Sequence, residues 1–370
     1  MFSKKTARLC ITAEGNRFDK RFIRNWEIEG FDTTYLAFEP DKDRYRRELE
    51  KITQGLSVSE SYAVIGFGEA AAFCLEHYLH LPNTRKLCAL IAYYPPRIPP
   101  AAVQYPPTVQ VLIHLANQQV AIPTRQQNGA ARAPQATWAK IDAGIGTGDT
   151  LQLGHKAYAY PSAVPGFAEH DQAEHDPISA GLAWSRSLAT LQRAFGKEAD
   201  LETVWDEVQE DRYFSQTVSK SKTAFVRKGT PSVTYSPTLQ GATGTADLQR
   251  FYETIFLQGQ PRSMRLRLLS RTVGADRVVD ELYMSFQHSQ EMPWILPGIP
   301  PTGRPVDLVL VSIVSLRGGR LLSEHVYWDQ ASVLMQVGLL DPKKVPHGFP
   351  GVERLPVVGR AAASTLLGQE

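Results

Sequence analysis

Tyr62-Ala63-Val64-Ile65-Gly66-Phe67-Gly68-Glu69-Ala70 reads as a buried strand, a Gly-rich turn and the first turn of a helix. The strand is apolar throughout, as expected when both of its faces are covered. Similar short runs flank it at 8–12, 33–38, 87–92, 109–113 and 157–160. Between them, helical spacing predicts helices over 19–29, 41–53, 69–78 and 177–195. Strand–helix alternation of this kind predicts a parallel sheet with helices on both sides. Asp176-Pro177 suits a helix start, with an N-cap followed by Pro at the first helical position. Residues 120–148 fit no period and read as a long surface loop.

The pattern changes near residue 196. Helices are expected over 201–210, 214–226 and 246–256, then long strands over 264–273, 277–289, 306–316 and 321–329. Helices first and antiparallel strands after is an α+β plan. Arg317-Gly318-Gly319-Arg320 supplies a two-residue hairpin turn between two of the strands. The expected domains are 1–196, 197–345 and a tail over 346–370.

Composition narrows the function classes. The chain has 370 residues, 43% hydrophobic and 21% charged, which suits a globular protein. Lys plus Arg is 40 against 38 Asp plus Glu, a net charge of +2. That balance gives no electrostatic reason to expect nucleic acid or an anionic membrane as partner. No run approaches a membrane span, and none behind Lys4-Lys5 resembles a secretory signal. Cys10, Cys74 and Cys88 are scattered, with no C-x-x-C pair. A reduced, cytoplasmic protein without metal or cofactor is expected, with Cys74 and Cys88 as buried packing residues.

The 62–70 stretch resembles the nucleophile elbow of α/β-hydrolases, and residues 6–196 most resemble the dienelactone hydrolase family. That family places a nucleophile at the middle of the turn, where this chain has Gly68. The family's acid should follow the strand ending near Ile113, where His114-Leu115-Ala116-Asn117-Gln118 has no carboxylate. Its histidine should precede Gly166-Phe167, where Pro165 stands. The resemblance therefore implies the fold without its covalent acyl-transfer chemistry.

Residues 198–340 resemble SnoaL-like domains, which have the cone-shaped fold of nuclear transport factor 2. The matching motifs are Thr234-Tyr235-Ser236-Pro237, Leu248-Gln249-Arg250-Phe251-Tyr252, and Glu324-His325-Val326-Tyr327-Trp328-Asp329 leading into Gln336-Val337-Gly338-Leu339-Leu340. The whole arrangement resembles a class of fungal fusion proteins joining the two kinds of domain. The resemblance implies an apolar cone that performs acid–base work on carbon acids, as in polyketide cyclases and ketosteroid isomerases.

Alternate strand residues share a face, so His325, Tyr327 and Asp329 lie together and Glu324, Val326 and Trp328 lie opposite. The resemblance gives Asp329 the acid–base role, with His325, His288 and Tyr235 as further catalytic candidates. Trp328, Tyr327, Trp294, Glu291 and Glu281 are candidates for substrate binding. The leading expectation is a cofactor-independent cyclase or isomerase on an apolar biosynthetic small molecule, acting as a homodimer. An ester or lactone hydrolase with non-standard residues, and a non-catalytic ligand-binding or dimerisation protein, are the alternatives.

Overall fold

The computed structural model describes residues 7–100, 103–116, 119–123, 136–140, 155–160, 162–197, 199–213 and 225–368. The chain falls into two compact units, Met1–Glu198 and Ala199–Glu370.

The first unit runs β1 (Ala7–Glu14), α1 (Lys20–Ile28), β2 (Phe31–Phe38), α2 (Lys42–Lys51), β3 (Tyr62–Phe67), α3 (Gly68–His77), β4 (Leu87–Tyr93), β5 (Gln110–Ala116), β6 (Gln119–Pro123), β7 (Ala136–Lys140), β8 (Lys156–Tyr160) and α4 (Pro177–Phe195). Its main sheet has the order β2-β1-β3-β4-β5-β8. Every neighbouring pair is parallel. The apolar runs of β3 and β4 are buried along their whole length, which is why they do not alternate. The helices start where short polar side chains satisfy their first N–H groups. Asp19, Asp41 and Asp176 cap α1, α2 and α4, and Pro177 opens α4. On one face, Trp26 of α1 packs on Trp184 of α4 with ring centroids 4.1 Å apart. Tyr45 of α2 and Phe73 of α3 meet elsewhere, 5.1 Å apart. The 120–148 stretch expected as loop contains two paired segments: β6 and β7 form an antiparallel ribbon.

The second unit runs α5 (Leu201–Tyr213), β9 (Ser232–Tyr235), β10 (Gln240–Thr243), α6 (Thr245–Phe251), β11 (Arg265–Val273), β12 (Arg277–Gln287), β13 (Pro305–Arg317), β14 (Arg320–Trp328), α7 (Gln330–Gln336) and α8 (Ala361–Leu366). A single π turn, Tyr252–Phe256, continues α6. The sheet order is β10-β9-β14-β13-β12-β11. All its pairs are antiparallel except β14 with β9. Gly318 and Gly319 close the β13–β14 hairpin, both at positive φ. The helix expected over 214–226 lies, but for Phe225 and Val226, outside the described residues.

One sheet face carries the core. Val278, Leu282, Met284 and Phe286 of β12 line it, with Leu308, Leu310 and Val314 of β13 and Val326 of β14. Leu201, Trp205 and Val208 of α5 and Leu248 and Phe251 of α6 belong to the same cluster. Segment 346–370, expected as a tail, contributes to this unit: Ala363 of α8 is buried and Arg360 Nε lies 2.6 Å from Asp307 Oδ2. Within β10, opposite Thr234, Gly241 has φ +132°, and a Cβ there would stand 2.0 Å from the Val233 carbonyl oxygen. Gly241→Ala is expected to cost about 2–3 kcal/mol by chemical denaturation, because the clash is with backbone.

Candidate functional site

The inner sheet face of the second unit carries two charged groups among its apolar neighbours. Asp280, fully buried on β12, accepts four hydrogen bonds. They come from Trp205 Nε1 (2.8 Å), Gln209 Nε2 (2.8 Å), and Arg271 Nε (2.6 Å) and Nη2 (2.9 Å). A carboxylate has about four lone-pair positions, so this one is saturated. Its role is to tie α5 and β11 to β12.

Glu324 differs. It is 3% exposed on β14, and Arg212 of α5 is 5% exposed. Arg212 Nη1 donates to Glu324 Oε2 at 2.5 Å, and Ser312 Oγ donates to Oε1 at 2.9 Å. About two acceptor positions remain among the described partners. The Arg212 guanidinium also lies over the rings of Tyr252 (4.8 Å) and Trp205 (5.4 Å). Burying an ion pair costs more desolvation than a pair of apolar side chains would. The pair therefore stands out as a buried charge pair in an otherwise apolar interior, with acceptor positions on Glu324 not taken up by the described partners.

The strand alternation expected from the sequence holds, but the face that turns inward is the other one. Glu324 and Val326 are buried and Trp328 is half-buried, whereas His325, Tyr327 and Asp329 are exposed. The apolar interior does not surround Asp329. Its carboxylate caps α7, accepting from Ser332 N (3.2 Å) and Ser332 Oγ (2.5 Å). His325 and Tyr327 meet edge to face on the outer surface, 6.5 Å apart. Glu281 is also on the outer face, accepting from Ser270 Oγ (3.1 Å), and Glu291 is exposed on a loop.

The remaining candidates are interior. Tyr235 is 1% exposed, with Trp294 (5.4 Å), Phe256 (5.8 Å) and Trp328 (6.2 Å) around its ring. Trp294 donates from Nε1 to the Gly259 carbonyl at 3.3 Å. His288 follows Phe286 on the inward row and is fully buried. Its Nδ1 lies 3.1 Å from Thr302 Oγ1 and 3.3 Å from the Thr302 backbone N. Nε2 finds no partner among the described residues, and burial holds the ring's pKa below the usual histidine value.

In the first unit, the elbow position keeps its turn but not its chemistry. Gly68 has φ +51°, and a Cβ there would meet the Glu14 carboxylate at 2.8 Å. Glu14 Oε1 accepts from the Glu69 backbone N–H at 2.7 Å. Glu69 itself is exposed and pairs with Arg97 Nη1 at 2.7 Å. The three cysteines are buried, and burial, first among the causes, pushes Cys10 and Cys74 up to about 12 and Cys88 to about 11. Thiols held protonated are poor nucleophiles.

Sequence reasoning missed one pairing entirely. Asp19, 3% exposed, accepts from both the backbone N–H and the ring Nδ1 of His170, each at 2.7 Å. The two residues are 151 positions apart, and no motif joins them. Next to His170, Glu169 accepts a very short hydrogen bond from Tyr94 Oη. Burial, with Asp171, Asp19 and Glu14 nearby, raises Glu169 to about 6 against the lowering effect of Tyr94. Among the described residues no group of His, Cys, Asp and Glu is arranged to hold a metal ion. No helix described is long and apolar enough to cross a membrane.

No family model and no curated protein matches this chain. Solved structures show likeness over part of it. One is named as a SnoaL-like polyketide cyclase from Jannaschia sp. CCS1: 17% identity, 39% of this chain, 98% of that one, TM-score 0.31. A second is an NTF2-like protein of unknown function from Burkholderia pseudomallei, at 13% identity, covering 38% and 98%, TM-score 0.30. A third, with a ketosteroid isomerase-like fold, comes from Catenulispora acidiphila, in complex with trimethylamine, at 16% identity, covering 39% and 95%, TM-score 0.29.

Proposed function

We propose that the second unit performs acid–base catalysis of the cyclase or isomerase kind on an apolar, neutral small molecule. The observation that carries this reading is the Glu324–Arg212 pair, buried among apolar side chains with acceptor capacity on Glu324 left over. In this reading Glu324 takes a proton from carbon, and Arg212 fixes the carboxylate's orientation through its planar fork. Tyr235 and Trp294 form the apolar wall, and His288 presents its Nε2, unpartnered among the described residues. Proton transfer of this kind needs no cofactor. Asp329 and His325 stand outside it, on the outer sheet face. That face, with Val309, Val311 and Ile313 only half covered, is proposed to pair in a homodimer.

The test uses a panel of neutral polycyclic ketones, including a β,γ-unsaturated steroid ketone followed for conjugation of its double bond. Glu324→Gln is expected to lower turnover by about 10²–10⁴, the range for removing a general base. Asp329→Asn and His325→Ala are expected to stay within about twofold of the parent, folding being checked by circular dichroism. An active Glu324→Gln enzyme, or an inactive Asp329→Asn one, sinks the assignment.

A further inference from the structure

The strand order of the first unit reverses at β1, which has β2 on one side and β3 on the other. In open parallel sheets, ligands enter at the carboxyl ends of the strands flanking such a point. Four separate segments bring chemistry-bearing groups there. Glu14 ends β1, and Asp19 lies in the loop that follows. Glu69 opens α3 just after β3. Tyr94 follows β4 and holds a positive φ of 37°, a strained conformation for a tyrosine. Glu169 and His170 come from the segment after β8.

The pairings assign roles. Asp19 accepts from His170 Nδ1 at 2.7 Å, so the neutral ring carries its proton there and leaves Nε2 as the acceptor. A buried carboxylate behind an imidazole both orients the ring and stabilises the cation it becomes. The His170 side chain remains 21% exposed, so it is reachable. Tyr94 holds Glu169 on the adjacent residue. Tyr35 donates from its hydroxyl to the Gly15 carbonyl at 2.6 Å, one residue past Glu14. The Tyr94 ring packs against Phe67 at the end of β3 (5.7 Å) and against Phe167 in the segment after β8 (5.6 Å), so these segments meet in one region.

The same region lacks what acyl transfer requires. Gly68 supplies no nucleophile, and the Glu69 N–H that would receive an oxyanion is occupied by Glu14. Proton transfer is what remains. We propose that this carboxyl end of the sheet is a second acid–base site, in which His170, oriented by Asp19, removes a proton from the carbon beside a carbonyl while Glu169 gives one to the carbonyl oxygen. The substrate class is a small uncharged carbonyl compound, because Glu14, Asp19 and Asp171 repel anions. The C–H bond breaks and its electron pair forms the C=C bond. The carbonyl π pair takes the Glu169 proton, leaving an enol, a carboxylate and an imidazolium paired with Asp19. Return of a proton from His170 to carbon, and of the enol proton to Glu169, regenerates the ketone with no co-reactant, and exchange of the imidazolium proton with solvent in between replaces the α-hydrogen.

The test follows α-proton loss from cyclohexanone and dihydroxyacetone in D2O by proton NMR, with the full chain and with pyruvate as the anionic control. The protein is expected to speed exchange of both neutral probes at least tenfold over buffer near pH 6, and that of pyruvate much less. His170→Gln and Glu169→Gln should each remove at least nine-tenths of the acceleration. Asp19 is a positioning residue. Asp19→Asn keeps a helix cap but should slow exchange at saturating cyclohexanone while leaving KM within about twofold, and Asp19→Glu should restore part of the rate, a split that a purely structural residue would not give. Exchange no faster than buffer, or unchanged in His170→Gln, overturns the proposal.

Discussion

Replacing Arg212 by methionine is expected to destabilise the second unit by about 3–5 kcal/mol, the cost of leaving a buried carboxylate without its partner. Arg212 and Glu324 are 5% and 3% exposed, so water cannot take over for the missing guanidinium. Ser312 Oγ alone would remain on Oε1. Glu324→Leu in the parent should also cost stability, since it removes the carboxylate to which Arg212 Nη1 donates. The double variant Arg212→Met, Glu324→Leu should lose far less than the sum, because neither charge is then buried alone. Urea unfolding of the four proteins gives the coupling energy directly. Additive costs would mean that the pair does not interact as drawn. A double variant that recovers stability but has no ketone turnover would place the pair's value in chemistry.

Acidification is expected to unfold the first unit between about pH 6.5 and pH 4. His114 on β5 is fully buried, with Nδ1 3.0 Å from Tyr160 Oη and Nε2 2.9 Å from Ser187 Oγ. Burial first, and the Arg186 charge second, hold it down to about 3. Burial likewise lowers His77 and His155 to about 4. An unfolded histidine protonates near 6.5, so the unfolded chain binds these protons first as pH falls. Stability is therefore full above about 6.5 and is lost downward until the folded values are reached. His114 alone contributes a slope of about 1.4 kcal/mol per pH unit across that window. Asp19 acts in the same direction at lower pH. Burial alone would raise it, but the His170 ring and the His170 and Phe22 backbone N–H groups hold it at about 2, so its contribution is lost only below about 4. Amide exchange over β3–β5 at stepped pH measures the slope, and His114→Gln should reduce it by about one proton. A flat response from pH 6.5 to 4 would mean that these rings are not buried neutral.

Periodicity and turn chemistry laid out most of the architecture before any packing was known. The fully apolar runs at 62–65 and 87–92 required cover on both faces, and their alternation with helical segments selected a parallel sheet with helices on either side. Asp176-Pro177 fixed the start of α4, and Gly318-Gly319 fixed the β13–β14 hairpin, because these are local requirements of capping and φ. The alternation on β14 was equally legible, since successive side chains must point to opposite faces. Which face turns inward was not. β13 is apolar on both faces, with Val309, Val311 and Ile313 opposite Leu308, Leu310 and Val314, so alternation there does not distinguish inside from outside. That choice rests on register, which pairs Asp280 with Ser312 and Ser312 with Val326, and on where α5 lies. It moves the interior carboxylate from Asp329 to Glu324. Asp19 and His170 show the same limit at longer range: residues 151 apart meet only because β1 and the segment after β8 end at one edge of the sheet. Local sequence determined the elements, their caps and their alternation, because those forces act within a few residues. The tertiary structure alone decided which charges are buried and which partners they meet, because burial and pairing depend on residues far apart in the chain.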